Sequence, residues 1–258
     1  MMGAAAGSFP TVFKAEVLKG RRGAPRKVAL IAPLPFCALG VLSSGVIPGT
    51  GAIGGIATCL WNYWYALMMP VAIALICASI ANLDARQKLR PVLGLPLPPA
   101  RTWWAKVAYA LALVLGANLV VLACSTVLTA LGAEGPSFAE GLAAAVLLTL
   151  ASSWMVPAAL ALTLRFGTLA GIAIPALAQV GVGIALWTSG AWFAFPPATT
   201  LCAVAPLLGV APSGVPLEAG DALGTFGGDA ACGIAVALAL FAALAIAGAA
   251  WFSKREAA

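Results

Sequence analysis

Six stretches of the chain are apolar over roughly 20 or more residues each, at about 28–47, 61–81, 107–131, 141–164, 168–188 and 231–252. A helix rises about 1.5 Å per residue, so a run of about 20 crosses a hydrocarbon core of about 30 Å. Packing six such runs inside a soluble domain would demand a large water-facing shell. The chain has no material for one: 62% of its 258 residues are hydrophobic and 9% are charged, against about 25% charged in a soluble domain. Lipid satisfies no backbone hydrogen bond, and runs of this length close their own as helices. The expected fold is an all-α membrane protein, a single transmembrane domain over 1–258. It has six transmembrane helices, an N-terminal interfacial helix over 9–27 and a cytoplasmic coupling helix between spans 2 and 3. The first run follows a basic leader too long for an ordinary signal peptide and contains Pro33 and Pro35. It reads as a retained span.

Charge placement then sets an orientation. Lys14, Lys19, Arg21, Arg22, Arg26 and Lys27 precede span 1, and Arg86, Lys88, Arg90, Arg101 and Lys106 separate spans 2 and 3. Arg165 follows span 4, and Lys254 and Arg255 follow span 6. These are all fourteen Lys and Arg residues, and in a six-span chain they share one side. The other connections carry Glu134, Glu140, Glu218, Asp221 and Asp229 and no base. Because Lys and Arg collect in cytoplasmic loops, the expectation is a multi-pass protein of the cell membrane with both termini cytoplasmic. Trp61, Tyr63, Trp64 and Tyr65 are expected in the outer headgroup layer, Trp103 and Trp104 at the inner entrance of span 3, and Trp187 and Trp192 at the outer end of span 5.

Three segments are candidates for function. In the first, Phe9, Phe13 and Val17 recur every four residues, with Glu16, Lys19, Arg21 and Arg22 around them. Such a helix lies in the cytoplasmic interface with its apolar face in lipid, and a plain topogenic anchor is the alternative. In the second, Asp84, Arg86, Lys88 and Arg90 form a charged run, followed by Pro91, Leu95 and Pro96. Arg101, Trp103, Trp104 and Lys106 then close the loop and re-enter the membrane. A rigid, charged, proline-stiffened elbow suits docking into a soluble partner, and an ordinary loop is the alternative. The third is the connection 189–230, whose apolar middle at 198–210 is too short to span and suits a re-entrant or interfacial hairpin.

Residue types that are missing narrow the chemistry. The chain contains no His, the commonest general base near neutral pH and the commonest metal ligand. Its six Cys residues, at 37, 59, 77, 124, 202 and 232, include no C-x-x-C pair and read as small apolar residues. No phosphate-loop string G-x-x-x-x-G-K-[ST] occurs, so any ATP would be bound by another chain. No ionisable residue falls near the middle of a predicted span, where ion-driven carriers usually need one. Asn62, Asn118 and Gln179 are read as helix–helix hydrogen-bond partners. No catalytic set, metal site or cofactor site is expected in this chain, and no nucleic-acid partner.

Together these features resemble the permease subunit of ABC-2-type transporters. The leader Phe13-Lys-Ala-Glu-Val-Leu-Lys-Gly-Arg-Arg is similar to the F-x-x-E-x-x-K-x-[KR]-[KR] segment that opens such permeases. The stretch Leu83 to Lys106, with Leu95-Pro96 and Trp103-Trp104-Ala105-Lys106, is similar to their first cytoplasmic loop, although Leu97 and a displaced hydroxyl residue depart from its pattern. The six-span layout with a long outer connection before the last span matches too. Trp61-Asn-Tyr-Trp-Tyr followed by Met69-Pro70 resembles the lantibiotic and bacteriocin self-protection permeases.

The resemblance implies a second permease subunit, identical or not, and a separate cytoplasmic ATPase subunit that binds ATP and Mg. It also implies that 84–106 couples to that ATPase, with Asp84 standing where many members carry Glu, and that 9–22 is a connecting helix in the interface. The expected activity is outward movement of an amphipathic peptide or lipid-like compound. An ATPase-independent carrier and a non-transporting membrane scaffold are the competing classes.

Overall fold

A computed structural model describes residues 8–45, 55–85, 98–218 and 220–254. Helix α1 (Phe9–Lys19) begins with Pro10 in its first turn, where a missing N–H costs nothing. A tight turn follows, and α2 (Ala24–Ile31) opens in the same way on Pro25. This helix is therefore shorter than the 9–27 expected of an interfacial helix, and Arg26 and Lys27 belong to the next element. Pro33 breaks the path before α3 (Leu34–Ser43), and α2 with α3 forms a first helix of spanning length, Ala24–Ser43.

The second long helix, Ala57–Asp84, starts earlier than the expected 61. Its first turns are π-helical, over Ala57–Asn62 and Trp64–Met68, before α4 (Met69–Ala85). The wide turns end at Pro70, whose ring nitrogen has no proton to give the turn before it. Helix α5 (Pro99–Ala130) likewise starts earlier than the expected 107. Arg101, Trp103, Trp104 and Lys106 accordingly lie in its first turns instead of in a closing loop.

The expected fourth span is two helices, α6 (Phe138–Ala151) and α7 (Met155–Phe166), bent by 42°. Pro157 offers no N–H to the Ser153 carbonyl, and the Ser152 hydroxyl bonds back to the Leu148 carbonyl at 2.6 Å, a contact that bends helices. The start of α6 is fixed by a capping box: Glu140 N–H donates to Ser137 Oγ, and Ser137 N–H donates to Glu140 Oε2. Gly167, at φ +94°, makes the sharp reversal into α8 (Thr168–Leu186). A side chain there would be strained, and the two apolar runs that meet at this point are thereby separate elements. Short helices α9 (Pro196–Cys202) and α10 (Ala205–Leu208) precede the last long helix, α11 (Gly228–Lys254).

The described chain is all-helical apart from an isolated antiparallel bridge between Val210 and Pro216. Five of its helices are long and apolar enough to cross a membrane, six if the bent pair is one span. Side-chain bonds sort their ends. Asn82 at the end of α4 donates to Thr168 at the start of α8, and Trp103 Nε1 donates to the Ala245 carbonyl of α11, both at 2.9 Å. The basic connections thus gather at one end of the bundle. At the other, Thr58 and Asn62 reach the chain after α10.

The aromatic residues correct the headgroup-belt expectation. Trp61, Trp64, Tyr65 and Trp103 are fully buried inside the bundle, whereas Tyr63 is exposed and Trp104, Trp187 and Trp192 are half-buried. The polar edge of Trp64 finds a partner inside the bundle. Trp64 Nε1 donates to Asn118 Oδ1 at 2.9 Å, and Asn118 Nδ2 donates to Thr149 Oγ1 at 3.0 Å. One buried amide thereby ties the second, third and fourth spanning segments, as expected of a helix–helix partner.

Candidate functional site: a buried ring of four charges

Helix α1 carries Glu16 and Lys19 at a spacing of three, which puts both on one face. Asp84 closes α4, and Lys106 lies in the second turn of α5. These three segments converge. Lys19 Nζ donates to Glu16 Oε1 at 2.7 Å and to Asp84 Oδ1 at 3.2 Å. Lys106 Nζ donates to Glu16 Oε2 at 2.9 Å and also to Asp84 Oδ2. Each lysine therefore bridges both carboxylates, and each carboxylate uses both oxygens. The ring has no net charge.

Glu16, Asp84 and Lys106 are at most 2% exposed, while the Lys19 side chain keeps about a third of its surface. Burial alone would pull the Lys19 pKa down. The hydrogen bond to Glu16 and the negative charges of Glu16 and Asp84 outweigh it and hold the ammonium above its usual range. A charge removed from water at this depth is tolerable only when paired and hydrogen-bonded, and the closed ring meets that condition for all four.

Two neighbouring contacts brace the same corner. Arg26 Nε donates to Tyr109 Oη at 3.2 Å, and Arg26 Nη2 donates to the Val17 carbonyl at 3.2 Å. Gly20 lies against that tyrosine so closely that an added Cβ would sit 2.2 Å from its oxygen. The buried face of α1 is thus Val12 and Glu16, with Phe13 and Val17 half-buried against the bundle. This corrects the expectation that Phe9, Phe13 and Val17 would all face lipid. Phe9 alone of them is exposed, stacked on Phe13 at 6.3 Å between ring centres.

The other candidate residues distribute as follows. Arg21 and Arg22 are exposed in the turn between α1 and α2, and Arg101 is exposed on the first turn of α5. Trp103 is buried against Phe252, and Trp104 is half-buried. Arg86, Lys88, Arg90, Pro91, Leu95 and Pro96 lie outside the described residues. The ring nevertheless grips the chain on both sides of them, at Asp84 and at Lys106.

At the opposite end, α9 is buried along its whole length. Gln179 Nε2 donates to the Pro197 carbonyl at 3.2 Å. Asn62 Nδ2 donates to Tyr65 Oη at 2.9 Å and to the Ala211 and Pro212 carbonyls at 3.2 and 3.3 Å, and the Thr58 hydroxyl donates to the Gly214 carbonyl at 3.0 Å. Gln179 thus bonds a neighbouring helix, α9, as expected, whereas Asn62 holds the backbone of the half-buried turn after α10 instead of a helix. Lone amides in apolar helices were the only sequence signal for this contact, and they do not name the partner.

Comparison of the chain with family models, with curated proteins and with solved structures finds no match.

Proposed function

We propose that the chain is the permease subunit of an ABC-2-type exporter, crossing the membrane six times with both termini cytoplasmic. The bent pair α6–α7 serves as one span in this reading, and the basic end faces the cytoplasm. The observation that carries it is the ring of Glu16, Lys19, Asp84 and Lys106. It joins α1 to both flanks of the one long basic connection, residues 86–97, which is where a soluble motor would dock. A push delivered there reaches α1, α4 and α5 together, because all three meet in one largely buried contact.

Energy comes from a separate ATPase subunit, since this sequence contains no phosphate loop. A second permease subunit, identical or related, completes the path. The cargo is an amphipathic peptide or lipid-like compound of the kind handled by lantibiotic self-protection permeases. Spans without fixed mid-membrane charge suit such a cargo better than an ion. Replacing Arg86, Lys88 and Arg90 together by Glu tests the docking role. Membrane insertion is expected to persist and ATP-driven export to be lost; export at the wild-type rate would refute the assignment.

A further inference from the structure

Between α7 and α11, at the basic end, lies a cleft of about 240 Å³. Its walls are apolar, from Pro157, Ala161 and Leu162 on one side to Leu244, Ala247 and Trp251 on the other. Small residues make the space. The lining is mostly apolar, so the cleft fits a hydrocarbon chain better than a polar solute.

One rim of the cleft is charged. Arg165, the penultimate residue of α7, lines it and is exposed, with its guanidinium 5.3 Å from the Phe166 ring centre. Lys254 follows Trp251 by three residues on α11, which places it on the same helix face. Neither base forms an ion pair among the described residues. An apolar slot with two unneutralised cations at its membrane-surface end matches an amphiphile with an anionic head.

Among the described residues, a second copy of the chain in the same orientation offers no free carboxylate at this end. Glu134, Glu140, Glu218, Asp221 and Asp229 belong to the opposite end, and Glu16 and Asp84 are already engaged by Lys19 and Lys106. We infer that the cleft between α7 and α11 holds an acyl chain of an anionic phospholipid from the surrounding leaflet, with Arg165 and Lys254 on its headgroup phosphate. No residue of the charge ring lines the cleft, and the site stands whether or not the chain works with an ATPase.

Trp251 in the wall gives a direct readout. Purified protein is titrated with phosphatidylglycerol brominated on its chains, and with phosphatidylcholine carrying the same chains; W251F identifies the part of the fluorescence quenching that comes from the cleft. Each base near an anionic headgroup is worth roughly fivefold in binding, so half-quenching by the anionic lipid is expected at about 25-fold lower concentration. R165Q/K254Q changes only exposed side chains and should bring the two lipids within about twofold, at an unchanged melting temperature. A161F should abolish the Trp251 quenching by both. Equal quenching by the two lipids in the wild type, or a preference that survives R165Q/K254Q, overturns the site. So does an A161F protein that keeps its lipid quenching but changes its oligomeric state, which would mean that a second copy fills the cleft.

Discussion

Lys106 Nζ donates to Glu16 Oε2 at 2.9 Å across 90 residues of sequence, and neither side chain is more than 2% exposed. This pair makes the N-terminal helix a structural member of the bundle, where a purely lipid-anchored helix would be free to drift. Asp84 and Lys19 complete the contact, so the position of α1 depends on charges drawn from two other helices. Asp84, just before residues 86–97, and Lys106, in the second turn of the helix that follows them, both belong to this contact.

Removing one member should therefore cost far more than removing most of the ring. Lys106→Met strands two buried carboxylates with only Lys19 between them, and the expected loss is about 3–5 kcal/mol. The triple change E16Q/D84N/K106M removes the uncompensated charge and should recover most of that loss. Melting of the purified proteins in one detergent checks both. A K106M protein as stable as the wild type would mean that the ring contributes no stability.

The hairpin after α8 is held from two sides by amides, and cutting one should loosen it locally. Asn62→Ala deletes the donor to the half-buried Ala211 and Pro212 carbonyls, a loss of about 0.5–1.5 kcal/mol. Hydrogen exchange over 211–216 should speed up by roughly two- to tenfold, while exchange near Pro197, held by Gln179, stays slow. Uniform acceleration along the bundle would show that Asn62 supports the whole fold instead.

Two glycines of long helices should respond in opposite directions to alanine. A Cβ at Gly248 would lie 2.1 Å from the buried Trp103 ring, whereas one at Gly116 meets nothing within 4 Å. Trp103 is fixed by its bond to the Ala245 carbonyl and by Phe252. G248A should therefore destabilise by about 1–3 kcal/mol through overpacking. G116A should stabilise by up to about 1 kcal/mol from helix propensity. Thermal melts of the two variants side by side provide the check.

Apolar run length alone made the helical class legible, because lipid leaves the backbone no other choice. It could not show where helices begin, since a helix continues into polar residues once its own hydrogen bonds are made. That is why α5 opens at Pro99 and takes in Arg101 and Lys106. The break at 152–154 was equally hidden: Pro157 marks it, but Pro70 and Pro175 sit in helices that continue past them. Glu16, Lys19, Asp84 and Lys106 were each visible as polar residues beside a span. Their convergence was not, because pairing between segments leaves no mark in spacing. Tryptophan misled for a related reason. Trp61, Trp64 and Trp103 stand at the edges of apolar runs, yet each is enclosed by packing.

The most direct test of the exporter reading is what this protein carries with it out of its native membrane. Tagged full-length chain is extracted in a mild detergent, purified, and its companions are identified and quantified by mass spectrometry. The account predicts a stoichiometric cytoplasmic ATPase bearing a phosphate loop, lost from the preparation when Arg86, Lys88 and Arg90 are changed to Glu. Recovery of the chain without any ATPase, under conditions that keep other membrane complexes of the same cells intact, would contradict it.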